Sequence, residues 1–142
     1  MAPRPLEYFL GTWHVERTIA DALSDDNGFF EGSATFTERE DHVEFDEVGI
    51  MRLGAYRGPA RRRLYYRQGP GTSIDVSFVD GHHFVSLELS SGTSRDVHLC
   101  ERDRYDITTV VHTQDRFDES WRVTGPSKDY EAMTLFERRV ET

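Results

Sequence analysis

The sequence has little of what several classes of protein need. It contains one cysteine in 142 residues, so no disulfide can form within the chain. Long apolar runs are absent, and the opening residues Met1 to Pro5 lack the apolar segment typical of a secretory signal. We therefore expect a soluble, cytoplasmic protein.

Positive charge is also scarce. The 17 basic residues are outnumbered by 26 acidic ones, which gives a net charge of -9. A nucleic-acid backbone is repelled on average by such a chain, so we expect no nucleic-acid partner. The basic run Arg61 to Arg63 is typical of a solvated strand edge. Interaction with another protein through that edge is one functional class that the sequence leaves open.

The sequence is instead rich in short segments where apolar and polar residues alternate, the period of a half-buried β-strand. One segment follows Gly11, and the only short helical candidate, Pro5 to Leu10, precedes it. For residues 61–67 both Tyr65 and the pair Leu64 and Tyr66 are candidates for burial. Elsewhere the predicted inner faces are Trp13, Val15, Arg17 and Ile19; Phe30, Gly32, Ala34 and Phe36; Val43, Phe45, Glu47, Gly49 and Met51; Ile74, Val76 and Phe78; His83, Val85, Leu87 and Leu89; and Phe117, Glu119, Trp121, Val123 and Gly125.

The spacing of these segments predicts the architecture. Short strands joined by turns, such as a two-residue hairpin at Asp80 and Gly81, indicate an all-β, up-and-down antiparallel barrel of about ten strands. A short N-terminal helical turn precedes it, and a β-sandwich is the alternative. Ten strands leave internal space, since about eight already hold one small ligand. No repeat or linker divides the chain, so we expect a single domain over residues 1–142.

Polar side chains fall on several of these inner faces. Arg17 and Glu47 can form a structural ion pair, or Arg17 can hold a substrate carboxylate or phenolate. His98 and Cys100 share a face of one strand, and Tyr105 opens the next strand. His98 is either a satisfied core histidine or a group that exchanges protons with Tyr105.

Other chemistry remains open at this face. Cys100 can act as a nucleophile with His98 as its base, although parallel side chains on one strand must lean together to do so. A metal at His98 and Cys100 needs a third ligand, for which His83 is the nearby candidate, and a histidine can also ligate haem. We expect no metal and no cofactor. Lys128 and Tyr130 are predicted to lie at one end of the barrel. They either belong to a solvated turn or cap the open end of the barrel.

Two sets of motifs resemble known families. Gly11-Thr12-Trp13, with Arg138 or Arg139 near the end, resembles the calycins, including lipocalins and fatty-acid-binding proteins, whose tryptophan closes the barrel floor under an arginine. More of the chain resembles an uncharacterised bacterial family, which implies a calycin-like barrel but no established activity. This chain departs from that family at two positions: it has Val85 where the family has histidine, and Phe117 where the family has tryptophan. The family motifs are Phe9-Leu-Gly-Thr-Trp-x-x-x-Arg17, Phe45-x-Glu47-x-Gly49, Asp80-Gly81, His98-x-Cys100-x-x-Asp103-x-Tyr105 and Trp121-x-Val-x-Gly-Pro126-x-Lys128-Asp-Tyr130.

We therefore predict a small-molecule-binding barrel that holds an apolar or aromatic ligand with a polar or anionic handle. The alternative is a cofactor-free isomerase, cyclase or lyase that acts on such a ligand. We expect no membrane partner and a monomer or homodimer. The predicted catalytic residues are His98, Tyr105 and Glu47, and the predicted ligand-binding residues are Arg17, Trp13, Phe45, Cys100, Trp121, Lys128 and Tyr130, with Phe36 and Phe78 as further walls.

Overall fold

A computed structural model describes residues 5–140 of the chain. Residues 1–4, where the sequence predicts no secretory signal, and residues 141–142 lie outside the described part. Within that part, no helix is long and apolar enough to span a membrane. A 3-10 helix (Pro5–Phe9) is followed by β1 (Gly11–Asp21), β2 (Asn27–Glu38), β3 (Val43–Leu53), β4 (Tyr56–Gln68), β5 (Ser73–Ser77), β6 (His83–Glu88), β7 (Thr93–Cys100), β8 (Asp103–Thr113), β9 (Arg116–Gly125) and β10 (Lys128–Arg138).

The strands form one antiparallel sheet that confirms the predicted barrel. Its order is β6-β5-β4-β3-β2-β1-β10-β9-β8-β7, so strands that follow each other in sequence are neighbours, except at the junction of β6 and β7. β1 also pairs with β10, from Trp13 opposite Arg138 to Asp21 opposite Tyr130. The chain therefore meanders around a nearly closed barrel, and the β-sandwich alternative is wrong.

Side chains join the two edge strands of the sheet, β6 and β7. The amide of Ser86 donates to Asp96 Oδ2 at 2.7 Å, and the amide of Glu88 donates to Ser94 Oγ at 2.9 Å. These two hydrogen bonds occupy backbone donors that an open edge would expose. In the described part of the chain, the barrel is thus closed at this seam by side chains rather than by a backbone ladder.

The predicted inner faces of β1, β2, β3 and β9 are confirmed. Trp13 and Val15 on β1 and Phe30 and Phe36 on β2 are buried, and Glu47 on β3 lies among them. Successive side chains of a strand point to opposite faces of the sheet, so the burial of one residue determines which face every other residue of that strand occupies.

The predicted hairpin between β5 and β6 is partly wrong. Gly81 does have a positive φ of 94°, but the turn is longer than two residues, because the Phe78 amide donates to the carbonyl of His82. The register of the two strands also shifts between Val76 and Ser77. Such a bulge breaks the period-2 pattern, and Phe84, rather than His83, is buried. His83 is exposed and lies 2.6 Å from the carboxylate of Asp75.

The basic run on β4 has a paired strand on one side only. Arg61 to Arg63 pair with β3, but the ladder between β4 and β5 covers only residues 65–68, so the other side of the run is an edge, as predicted. Its alternation buries Leu64 and Tyr66 and turns Arg62 inward with them. Tyr65, a candidate for the inner set, faces outward and packs on His42 at 4.3 Å between ring centroids.

Aromatic side chains seal one end of the barrel. Trp13 is fully buried and donates its indole N–H to the carbonyl of Phe9 in the 3-10 helix at 2.8 Å. Phe117 packs edge-on against Trp13 and stacks on Phe136. The guanidinium of Arg138 lies 4.2 Å from the Trp13 ring, the arrangement that the resemblance to the calycins implies. We call this end the floor, and the opposite end the mouth.

Two glycines allow β2 and β3 to approach closely. Gly32 and Gly49 are directly opposite each other. A Cβ atom added to Gly32 would lie 2.1 Å from the Val48 carbonyl oxygen, and one added to Gly49 would lie 2.7 Å from the Phe30 ring. Neither position can carry a side chain without a shift of backbone, so the close approach of the two strands requires glycine at both.

Candidate functional site

A band of polar residues crosses the inner wall of the barrel. Arg17 on β1 is opposite Thr134 on β10, and Thr134 is opposite Glu119 on β9. The register continues to Thr109 on β8 and Ser94 on β7. Opposed residues lie on the same face of a sheet, so the whole band shares the inward face. Each buried polar group of the band therefore needs a hydrogen-bond or ion-pair partner.

Arg17 and Glu47 form a buried bidentate ion pair. The two terminal nitrogens of Arg17 donate to Glu47 Oε1 at 3.0 Å and Oε2 at 2.8 Å, and its Nε donates to Thr134 at 2.8 Å. Glu47 is only 2% exposed. Burial acts to raise the pKa of Glu47, but the positive charges of Arg62 and Arg17 outweigh it and lower that pKa. The carboxylate therefore stays ionised, which suits a structural ion pair better than a proton carrier.

A second inward-facing arginine, Arg62, shares this carboxylate. Its Nε donates to Glu47 Oε1 at 3.2 Å, and its Nη2 lies 3.7 Å from Glu119 Oε1. The guanidinium lies 5.2 Å from the centroid of the Phe45 ring and 5.3 Å from that of Trp121. Burial acts to lower the pKa of Arg62, but the two carboxylates raise it, so the side chain remains a cation. Within residues 5–140, its four Nη hydrogens have no hydrogen-bond acceptor.

The exposure of Arg62 indicates solvent-accessible space beside its side chain. Its side chain is 27% exposed although it points inward, whereas the side chain of Arg17 is 12% exposed. An inward side chain can be exposed only where solvent-sized space lies beside it. Floor residues such as Phe117 and Phe136 have almost no exposure. The interior is therefore packed at the floor, and solvent reaches the Arg62 side chain above it.

Glu119 is the second inner carboxylate of the band. Its Oε1 accepts a hydrogen bond from the indole N–H of Trp121, two residues further along β9. Its Oε2 has no hydrogen-bond donor within the described part of the chain. The neighbouring hydroxyl of Thr109 is buried and also lacks a partner there. Burial, together with the negative charge of Glu119, raises the pKa of the Tyr66 phenol.

A second polar group lies at the mouth. Lys128, the one lysine of the chain, donates to Asp103 Oδ2 at 2.8 Å and to the Tyr105 hydroxyl oxygen at 2.9 Å. These two hydrogen bonds raise the pKa of Lys128, so it remains charged. Burial raises the pKa of Tyr130, which lies on the same end of β10. The mouth therefore has a fixed cation that is already neutralised by a carboxylate.

His98 belongs to the mouth and not to the band. Its ring centroid lies 5.8 Å from that of Tyr105, 5.2 Å from Phe84 and 5.9 Å from Phe78. Neither ring nitrogen makes a hydrogen bond within residues 5–140. The structure thus brings two of the predicted catalytic residues, His98 and Tyr105, together and places the third, Glu47, in the buried ion pair.

Aromatic rings connect the mouth to the band. Trp121 lies 5.5 Å from Phe84 and 6.0 Å from Tyr105 between ring centroids. Each of these rings is inward-facing, and those of Trp121 and Tyr105 are only partly buried. Of the other predicted walls, Trp13 lies in the floor and Phe45 lies under Arg62.

The remaining predicted groups do not converge. Cys100 is exposed at the end of β7, and His83 points away from it on the outer surface. Among the described residues, a histidine and two glutamates, His14, Glu16 and Glu31, have metal-ligand spacing, but this group lies on the outside of the barrel. Exposed acidic groups of this kind are common without a metal.

Sequence patterns assigned no site role to Arg62, Glu119 or Thr109. Glu119 was on a predicted inner face, and a carboxylate there is costly unless paired, which is the signal that could have identified it. Arg62 could not be assigned, because apolar residues occupy both faces of β4. Its partner Glu47 comes from another strand, and a local pattern carries no information about that contact.

Comparison with solved structures identifies the fold. An S-type phycobiliprotein lyase from Guillardia theta aligns with a TM-score of 0.69 and 8% identity, over 96% of this chain and 92% of that chain. A de novo designed fluorescence-activating β-barrel aligns with a TM-score of 0.50 and 18% identity, over 97% of this chain and 100% of that chain. At these identities the likeness establishes the fold alone.

Comparison with known sequences identifies the family. No curated protein matches the chain. A family of unknown function, DUF6314, matches residues 9–138, which is nearly the whole chain. The match includes the floor tryptophan, the polar band and the mouth, so the site described above lies within the shared region. The chain belongs to the family of unknown function DUF6314.

Proposed function

We propose that the protein binds a small apolar or aromatic molecule with one polar group, between the polar band and the mouth. One observation carries the proposal: Arg62 points into the barrel yet is 27% exposed. Space beside a charged group, lined by aromatic rings such as Trp121, has the composition of a ligand site.

We propose Arg62, in place of Arg17, as the residue that holds the polar group of the ligand. Arg17 already uses Nε and both terminal nitrogens in hydrogen bonds to Thr134 and Glu47. Arg62 uses only its Nε. A guanidinium can donate five hydrogen bonds, so four of its donors remain for a ligand in the described structure.

The likeness to solved barrels supports this class of function without identifying the ligand. One similar barrel is described as a phycobiliprotein lyase, and another as fluorescence-activating. A shared fold does not transfer a substrate, because function depends on the residues of the site. The expectation of a cytoplasmic protein without a nucleic-acid partner, as a monomer or homodimer, is part of this proposal.

Acid/base catalysis at the mouth is the second candidate. The Tyr105 oxygen accepts a hydrogen bond from Lys128, which leaves its own O–H to donate, and the His98 ring packs beside it at 5.8 Å between centroids, so a bound ligand or one water would have to connect the two. Native mass spectrometry of protein from its own host identifies a co-purifying molecule. If His98→Ala still binds that molecule but no longer converts it, the protein is an enzyme. Equal conversion of the molecule by the wild type and by His98→Ala argues against acid/base catalysis by His98.

A titration with the neutral dye N-phenyl-1-naphthylamine tests binding inside the barrel. Ala60 is inward-facing on β4, two residues from Arg62, so Ala60→Trp fills the proposed space. Thr18→Trp is the control: it adds the same ring to the outer face of β1, beside an outer depression with a volume of about 690 Å³. We expect dye fluorescence to rise with the wild type and Thr18→Trp, and the dye affinity to fall at least about tenfold with Ala60→Trp. Loss with Thr18→Trp alone would place the dye outside and contradict the proposal.

A further inference from the structure

Two groups of opposite charge, each with unused hydrogen-bonding atoms, lie side by side in the proposed binding space. Arg62 has Nη hydrogens without an acceptor, and Glu119 has an Oε2 without a donor, within residues 5–140. The nearest charged atoms of the two side chains are 3.7 Å apart. Glu119 is 13% exposed and Arg62 27%, so both reach unfilled space. The space therefore offers hydrogen-bond donors next to an acceptor.

The charges around this space sum to zero. Arg17 and Arg62 are matched by Glu47 and Glu119, and each arginine is in contact with at least one of the carboxylates. An anionic ligand would add a third negative charge beside two inner carboxylates, and a cation would add a third positive charge beside two arginines. An anion would meet the Arg62 donors but also the negative charge of Glu119 beside them, and a cation would meet the reverse, so either charge would lose hydration for a partly opposed contact. A neutral group avoids that loss.

We propose that the polar group of the ligand is a neutral amide or lactam edge, on a planar ring that packs against Trp121. Its carbonyl oxygen accepts from the Nη atoms of Arg62, and its adjacent N–H donates to Glu119. Trp121 donates its indole N–H to Glu119 Oε1, which leaves Oε2 for the ligand. This inference rests on the proposed function and specifies the ligand class of the same site.

Three small aromatic probes of similar size test the ligand class on the wild-type protein. Quinolin-2(1H)-one carries the lactam edge, 2-methoxyquinoline has the same rings without the N–H and the carbonyl, and naphthalene-2-carboxylate carries a charge. We expect the lactam to bind about tenfold or more tightly than either of the others, because each of them leaves Glu119 or Arg62 unsatisfied. Tighter binding of the carboxylate, or equal binding of the lactam and the methoxy probe, would overturn the inference.

The isosteric variant Glu119→Gln tests the acceptor directly. The indole N–H of Trp121 holds the amide oxygen of the new side chain in the position of Oε1, so a donor NH₂ replaces the acceptor Oε2. We expect the lactam to lose about tenfold in affinity and the carboxylate to gain, since the site then has donors only and a net positive charge. Glu137→Gln, an exposed change on β10, is the control and leaves both affinities unchanged.

The outcomes separate this inference from the proposed function. If the neutral dye binds and Ala60→Trp blocks it, but the lactam has no advantage, only the ligand class is wrong. If neither the dye nor any probe binds in the barrel, the proposed function fails and this inference fails with it. An unchanged probe preference in Glu119→Gln contradicts the role of Glu119 without affecting the binding site.

Discussion

At the scale of single residues, Glu47 is the buried carboxylate that compensates two inward-facing arginines. Its carboxylate is shared by Arg17 and Arg62, and removal of it would leave two inward-facing arginines with reduced compensation. We expect Glu47→Ala to lower the free energy of unfolding by about 3–5 kcal/mol, measured by denaturant unfolding. Asp46→Ala on the same strand breaks the exposed pair with Arg61 and should cost at most about 1 kcal/mol. Equal losses in the two variants would show that burial of the ion pair is unimportant.

The lowered pKa of Glu47 also predicts a pH dependence. A carboxyl group with a lowered pKa in the folded state stabilises the fold fully above its ordinary pKa of 4.5. That contribution is lost as pH falls below 4.5 through the folded-state pKa. The stability difference between wild type and Glu47→Gln should therefore be constant from about pH 7 to about pH 5 and shrink at lower pH. A difference that is independent of pH down to about pH 3 would contradict the ion pair.

At the scale of elements, the 3-10 helix is attached to the floor of the barrel by Arg138. The guanidinium donates to the carbonyls of Leu10 at 2.7 Å and Tyr8 at 2.6 Å, and it also covers Trp13. Arg138→Ala leaves these carbonyls unsatisfied, so we expect a loss of about 2–4 kcal/mol in thermal or denaturant unfolding. The matched control is the exposed neighbour Arg139, and Arg139→Ala should lower the free energy of unfolding by less than about 0.5 kcal/mol. A similar cost for both would mean that the floor does not depend on Arg138.

The seam between β6 and β7 is the junction of the described barrel that has no backbone ladder. It depends on two side-chain acceptors, of which Asp96 binds the amide of Ser86. We expect Asp96→Ala to speed hydrogen exchange at the Ser86 amide by about tenfold, because that amide loses its acceptor. Asp75→Ala is the control. Asp75 lies on β5, opposite Ser86 and away from the seam, so removal of its carboxylate from the outer surface should leave the exchange rate unchanged. Unchanged exchange in Asp96→Ala would show that the seam is closed by other contacts.

The elements also explain how much the sequence could predict. The faces of β1, β2 and β3 follow from strict alternation, so the barrel and its floor at Trp13 could be predicted from the residues. The bulge between Val76 and Ser77 has no such signal, and it moved His83 outside. The site was harder to predict, because the contact of Arg62 with Glu47 joins two strands whose relative positions no local pattern specifies. The polar band likewise depends on register across five strands.

At the scale of the whole molecule, charge is distributed unevenly between inside and outside. The chain has a net charge of -9, while the inner pairs around Arg17 and Arg62 are balanced. The excess negative charge therefore lies outside the polar band, where it opposes the approach of anionic ligands. A barrel that is sealed at the floor and neutral in its middle is suited to a neutral guest that enters from the mouth.

The most direct test of ligand binding in the barrel uses the two tryptophans of the chain as reporters. Trp13 is fully buried in the floor, whereas Trp121 lines the space beside Arg62. In a ¹H–¹⁵N NMR spectrum of the protein titrated with N-phenyl-1-naphthylamine, we expect the indole signal of Trp121 to shift strongly and that of Trp13 to remain nearly unchanged. Trp121 also lines the outer depression with Thr18 and Met133, so shifts of the Thr18 and Met133 amides, whether or not the Trp121 signal moves, would contradict the account.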